Sequence, residues 1–199
     1  MNQSPIASAH RRWFVFGAVV EGSLTGLAVV LAWLFHCPLW SELSGGAWAV
    51  GLGLLGALPM LIALAATCHS SWGPLREIRE LLETRFLPLF ASWSVAQLAL
   101  ISALAGLGEE LLFRGVLQGG LTPRVGLPLA MVISNIIFGA CHLLTRTYGL
   151  MAALMGAYFG MLWLQTGSLL TPVVAHAAYD FLALLYFVHR ATSAKPDAI

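Results

Sequence analysis

Three ionisable side chains interrupt an otherwise apolar run: Glu109, Glu110 and Arg114, within Gly106-Leu107-Gly108-Glu109-Glu110-Leu111-Leu112-Phe113-Arg114-Gly115. At the centre of a membrane helix each costs about 2.5–3.5 kcal/mol, which is tolerated where the groups pair or act on a substrate. Glu110 and Arg114 stand four residues apart, on one helical face, and can neutralise each other. Glu109 projects about 100° round the helix, so its partners must come from elsewhere. Two later runs offer them: Phe138-Gly139-Ala140-Cys141-His142 and His176-Ala177-Ala178-Tyr179-Asp180, each with its outer residues four apart. A single membrane histidine is more often a packing residue, the reading given to His36, His69 and His189 near expected helix ends. Two carboxylates, an arginine, two histidines and a further carboxylate are costly to bury unless they converge. Their chemistry would be amide hydrolysis inside the membrane. A carboxylate beside a neutral histidine can orient a water and take its proton, while a second histidine and a polar neighbour stabilise the oxyanion. No hydroxyl or thiol nucleophile is needed. Ser134 lacks a matching base, and Cys141, next to His142 in sequence, lies about 100° away on a helix.

The rest of the chain has to hold these groups in a bilayer. With 59% hydrophobic and 10% charged residues over 199 positions and a mean hydropathy of +0.83, the sequence reads as an integral membrane protein. The expected fold is all-α, a polytopic helical bundle of about six transmembrane helices plus one interfacial amphipathic helix. A net charge of +1 with scattered basic residues excludes nucleic acid as a partner. Cys37, Cys68 and Cys141, isolated and odd in number, suggest neither disulfides nor a thiolate metal site.

In order, the spans are expected at 13–35, 47–66 with a kink at Pro59, 91–119, 127–144, 149–165 and 172–189. Pro172 suits the first turn of the last. Glu21, inside the first span, is read as facing the bundle or a polar neighbour rather than serving the active site. In 74–90, charged residues alternate with Leu75, Ile78, Leu81, Leu82 and Phe86 at spacings of three and four, the pattern of a surface helix with self-paired charges such as Arg76 and Glu80. Residues 120–126 read as a turn, and Pro88 as the marker of the third span. Gly22/Gly26, Gly115/Gly119 and Gly156/Gly160 are small-x-x-x-small pairs that permit close helix packing. Residues 1–90 thus hold two spans and the surface helix, 91–190 the core with the motifs, and 191–199 a polar, unordered tail. Arg11, Arg12, Arg76, Arg79, Arg85, Arg146, Arg190 and Lys195 fall on one side and Arg124 on the other, so both termini are expected in the cytoplasm.

Glu109-Glu110-x-x-x-Arg114, Phe138-x-x-x-His142 and His176-x-x-x-Asp180, each on its own span and in that order, resemble the signature of the CPBP intramembrane proteases. That family includes the Ras-converting CAAX endopeptidases and bacterial bacteriocin-processing or immunity (Abi-type) proteins. The resemblance covers about 92–187. It implies that Glu109 activates water with His142, that His176 and Asp180 form the oxyanion side, and that Glu110 with Arg114 holds the first motif in shape. Many family members carry Asn at the position of Asp180; an amide can donate a hydrogen bond to an oxyanion, whereas an ionised Asp180 cannot.

The expected activity is therefore metal-independent glutamic endopeptidase, with no cofactor. Two alternatives stand beside it: the same fold with zinc on Glu109, His142 and His176, which are ordinary ligand types, and a non-enzymatic transport or immunity protein. The expected partners are the lipid bilayer and a membrane protein or peptide substrate, including a C-terminal segment. The expected location is a bacterial inner (cytoplasmic) membrane. Straight, full-length helices would leave His142 and His176 on the order of 10 Å apart in depth, so a single site requires tilted or shortened spans.

Overall fold

The structure, a computed structural model, describes residues 5–193; most of the expected tail, with Lys195, lies outside the described residues. These residues form helices and connections, without strands. Helix α1 (Pro5–Phe35) leads through the short α2 (Leu39–Glu42) to α3 (Gly46–His69). The amphipathic segment is α4 (Gly73–Leu81), a π-helical stretch Leu82–Phe86 and α5 (Leu87–Phe90). Then come α6 (Val95–Glu110), a second π-helical stretch Leu111–Gln118 and α7 (Gly119–Val125), which run on as one helix. Helices α8 (Leu127–Cys141), α9 (Arg146–Thr166) and α10 (Leu170–Ser193) complete the chain. Five helices are long and apolar enough to cross a membrane, and α8 is a shorter apolar one. The protein is thus an all-α integral membrane bundle, with α10 packed on α3 and α6, α1 on α6, and α9 on α8.

Several boundaries differ from those read in the sequence, each for a local reason. The third span starts at Val95, not 91, because Ser94 and Gln97 form a reciprocal capping box: the Ser94 hydroxyl accepts from the Gln97 N–H at 3.3 Å, and the Gln97 side-chain Oε1 accepts from the Ser94 N–H at 2.9 Å. Pro88 belongs to α5, before that cap. The turn expected over 120–126 is helical to Val125. Thr122 and Arg124 donate to the carbonyls of Gln118 and Gly120 on either side of the position Pro123 leaves without an N–H. Only Gly126 breaks the chain, at φ +80°, a conformation glycine adopts without penalty. The last helix starts at Leu170, before Pro172, and runs through the expected tail start to Ser193. Between α3 and α4, Arg79 donates to the carbonyls of Cys68 at 2.8 Å and Ser70 at 3.3 Å, tying the surface helix to the end of α3.

The fourth span is cut short: α8 ends at Cys141 and His142 is its C-cap. At 1.5 Å per residue, its 15 residues span roughly 22 Å, less than a hydrocarbon core of about 30 Å. The expected depth mismatch is nonetheless absent, since Phe138 lies with its ring centre 4.5 Å from that of His142 and 6.4 Å from that of His176. Glu109 lies sixteen positions before Val125 and His142 sixteen positions after Gly126, so the chain climbs from one and returns to the other over equal lengths of helix.

Close crossings bring the remaining elements in. A Cβ at Gly106 would stand 2.8 Å from both Val173 O and Ala177 N, and one at Gly108 2.8 Å from Glu21 O. The backbone of α6 therefore touches α10 on one side and α1 on the other, on either side of Leu107. Of the small-residue pairs read in the sequence, Gly22 and Gly26 have open space around them, whereas Gly156 and Gly160 make room for the side chains of Arg114 and Gln118. Gly106→Ala should lower stability by about 1–3 kcal/mol through forced separation of α6 from α10, read as a lower unfolding midpoint in detergent. Gly22→Ala should leave that midpoint unchanged.

Candidate active site

The three motifs meet. Glu109 and Glu110 end α6, Arg114 lies in the π-helical stretch, Phe138 and His142 close α8, and His176 and Asp180 sit in the first half of α10. The α6–α10 crossing at Gly106 sets the two carboxylates beside His176, and the returning α8 brings His142 to Glu109.

Glu110 is the hub of the buried part. It is fully buried, and its Oε1 accepts from Arg114 Nη1 at 2.9 Å and lies 2.8 Å from His176 Nδ1. Arg114, also fully buried, has its guanidinium 4.5 Å from the centre of the Phe138 ring and 5.4 Å from that of Phe159, two favourable cation–π contacts in a dry setting. Phe159 in turn stacks on His176, with ring centres 4.8 Å apart and planes 13° from parallel. Arg114 Nη2 and Asn135 Oδ1 both press on Gly156, at 2.5 and 2.7 Å from where a Cβ would be. The wider π turn keeps the Glu110–Arg114 spacing bonded, and Ser134 Oγ on α8 donates to Phe113 O at 2.8 Å. Ser134 is thus engaged in tying α8 to the π turn, and Cys141 is exposed.

Glu109 and His142 form the open part. His142 Nδ1 lies 2.8 Å from Phe138 O. A carbonyl can only accept, so Nδ1 carries the hydrogen and a neutral ring turns the lone pair of Nε2 outward. That Nε2 is 3.7 Å from Glu109 Oε2, beyond hydrogen-bond range and close enough for one water to donate to both. Phe138 spans the gap between the histidines, its ring centre 4.5 Å from that of His142 and 6.4 Å from that of His176. His176 Nε2 lies 3.4 Å from Asp180 Oδ2.

Two cavities adjoin this edge. One of about 410 Å³ is bordered by Glu109, His142, His176 and Asp180, with Met151, Met155 and Tyr158 among its apolar walls. The other, of about 540 Å³, lies toward α1 and the surface helix. Both are lined by Leu64, Leu82, Glu109, Tyr148, Tyr179 and Asp180. Sequence reading missed Tyr148 and Tyr179, which carry no motif spacing of their own; Tyr148 is set by the Thr145 cap, whose hydroxyl accepts from its N–H at 3.1 Å. Glu21, read as bundle-facing, lines the second cavity. For zinc, the donor set fits poorly: both His176 nitrogens already face carboxylates, and no group of three or more His, Cys, Asp or Glu among the described residues is arranged to hold a metal.

Residues 91–182, just under half of the chain and including every motif residue, match a family model described as type II CAAX prenyl endopeptidase Rce1-like. That is a family of membrane peptide hydrolases and the CAAX branch of the one the motifs resemble. No curated protein and no solved structure matches the chain.

Removing one partner from a buried ion pair strands the other. Arg114→Ala should cost about 3–5 kcal/mol by leaving Glu110 uncompensated, measured as loss of folded protein in detergent. Ser134→Ala should cost only about 1 kcal/mol and keep whatever hydrolytic activity the protein has.

Proposed function

We propose that this protein, whose residues 91–182 form an Rce1-like domain, is an intramembrane endopeptidase that hydrolyses a peptide bond of a membrane protein or peptide with a water activated by Glu109 and His142. The observation that carries the reading is the Glu109–His142 pair, two acceptors 3.7 Å apart at a cavity edge, with the histidine ring locked by Phe138 O.

In the reaction, a water donates one hydrogen to the Glu109 carboxylate and one to His142 Nε2. As its oxygen attacks the scissile carbonyl carbon, one proton passes to Glu109 and a tetrahedral oxyanion forms. His176, held on Glu110 through Nδ1, has its Nε2 3.4 Å from Asp180 Oδ2 at the cavity border; a proton there turns from Asp180 to the developing oxyanion and donates to it. Collapse breaks the C–N bond, and the proton held by Glu109 passes to the leaving amine, so the carboxylate is regenerated. Asp180, an acceptor when ionised, orients His176 rather than donating to the oxyanion. Glu110, Arg114 and Phe138 hold these groups in place without meeting the substrate.

Access follows from the walls. Ile78, Leu82 and Phe86 of the surface helix line the cavities, so the site opens near that membrane face. The basic bias of the loops assigns this face to the cytoplasm, with both termini on the same side. The substrate class is a membrane-embedded segment or a C-terminal tail; a prenyl group is not required by the chemistry.

Glu109→Gln keeps the shape and removes the base, so cleavage should fall by roughly 10²–10⁴-fold with the unfolding midpoint preserved. Comparing membrane proteomes of cells carrying wild-type and Glu109→Gln protein should reveal uncleaved precursors in the variant; equal proteomes, with purified protein inert, would favour a binding or transport role. Activity that survives chelation supports the metal-independent mechanism, and activity lost to chelator and restored by zinc would replace it.

A further inference from the structure

Glu21 is the one acidic residue of α1, and the hydrolytic mechanism does not use it. Its backbone packs against Gly108, so it stands at the level of Glu109 on the neighbouring helix. Its side chain lines the second cavity, and its Oε2 is buried without a hydrogen-bond partner. Glu109, more than nine-tenths buried and with an Oε2 that likewise has no hydrogen-bond partner, borders the same space, as does Asp180. No Lys, Arg or His is among the lining residues described for this cavity, whereas Trp13, Phe16, Phe90, Trp93 and Phe187 are. Glu109 and Asp180 face His142 and His176 on the far side, whereas Glu21 has no ion pair among the described residues; a carboxylate so placed in an apolar wall favours a positive guest, and aromatic faces add cation–π attraction for it.

We infer that the second cavity is a specificity subsite for a cationic group of the substrate, an ammonium or guanidinium, received by Glu21. The inference rests on the proteolytic reading and adds a substrate class to it. An extended chain passing the Glu109–Asp180 border has the cavity with His142 and His176 on one side and the acidic cavity on the other. At about 3.3–3.6 Å per residue, and with Glu21 level with Glu109, the basic group belongs to a residue within a few positions of the cleaved bond, as a lysine or arginine side chain or a terminal amine.

The test uses full-length protein in detergent or lipid nanodiscs with apolar fluorogenic peptides that differ at one position, carrying Lys, Gln or Glu, walked along both sides of the scissile bond. A second set places the positive charge only on the N-terminal amine. Cleavage is measured with wild type, and equilibrium binding of labelled peptides with His142→Ala protein, where turnover is blocked. At one position the Lys peptide should exceed its Gln counterpart at least tenfold in kcat/KM, mainly through KM, and the preference should collapse to within about twofold in Glu21→Gln. Glu21→Lys should reverse it toward Glu; if that variant does not fold, Glu21→Gln carries the test. Preference for the amine set alone assigns the subsite to a chain terminus and still supports a cation site. Cleavage without charge preference, or a preference that survives Glu21→Gln, overturns the inference and leaves the proteolytic reading standing. Glu21-dependent binding of the Lys peptides without cleavage by wild type supports the subsite and overturns hydrolysis; neither binding preference nor cleavage overturns both.

Discussion

A charged pair with no access to water governs this bundle. Glu110 and Arg114 are both fully buried, joined at 2.9 Å, and neither could remain in an apolar interior without the other. Everything near them contributes to that compensation. Phe138 and Phe159 bring aromatic faces to the guanidinium, His176 brings a ring nitrogen to the carboxylate, and Gly156 yields the space into which Arg114 Nη2 and Asn135 Oδ1 converge. Four helices and the π turn are thereby fixed to one another by electrostatics. Apolar packing alone would not distinguish one rotation of a lipid-facing helix from another, because lipid tails are as apolar as leucine.

The same cluster divides labour between two neighbouring carboxylates. Glu110 points inward, its Oε1 engaged by a cation and a histidine. Glu109, about 100° round the helix, reaches the cavity edge and meets His142 at 3.7 Å. The adjacent placement gives one group permanent partners and leaves the other exchangeable ones, the difference that the proposed base requires. The locked ring of His142 matters for a similar reason: its tautomer is dictated by a backbone carbonyl of its own helix, so it is fixed before any substrate arrives.

Much of this was legible in the sequence. Charge in an apolar run marked Glu109, Glu110 and Arg114, the four-residue spacings marked Phe138, His142, His176 and Asp180, and all seven lie around one centre. The alternation of Arg76 with Glu80 across an apolar face marked the surface helix, and these two lie 3.6 Å apart. What could not be read depends on long-range packing. Glu21 looked like any isolated span carboxylate because only the approach of α1 to Gly108 brings it level with Glu109. Tyr148 and Tyr179 gain their position from the cavities they border, and Gly156 from a side chain on another helix. The boundaries at Ser94 and Gly126 turn on a capping hydroxyl and a single backbone angle, both too local for hydropathy to detect. The π turn after Glu110 leaves no hydropathy signature.

The brevity of α8 has a consequence for the solvent of the reaction. A rod of about 22 Å cannot fill a slab of about 30 Å, and a bilayer meets such a deficit by thinning locally or letting polar flanks reach inward. One end of α8 is capped by His142, with Arg146 four residues beyond. Thinning at that end would draw headgroups and their hydration toward the histidine. A bundle built this way would bring water to His142 from the interface, without a dedicated pore.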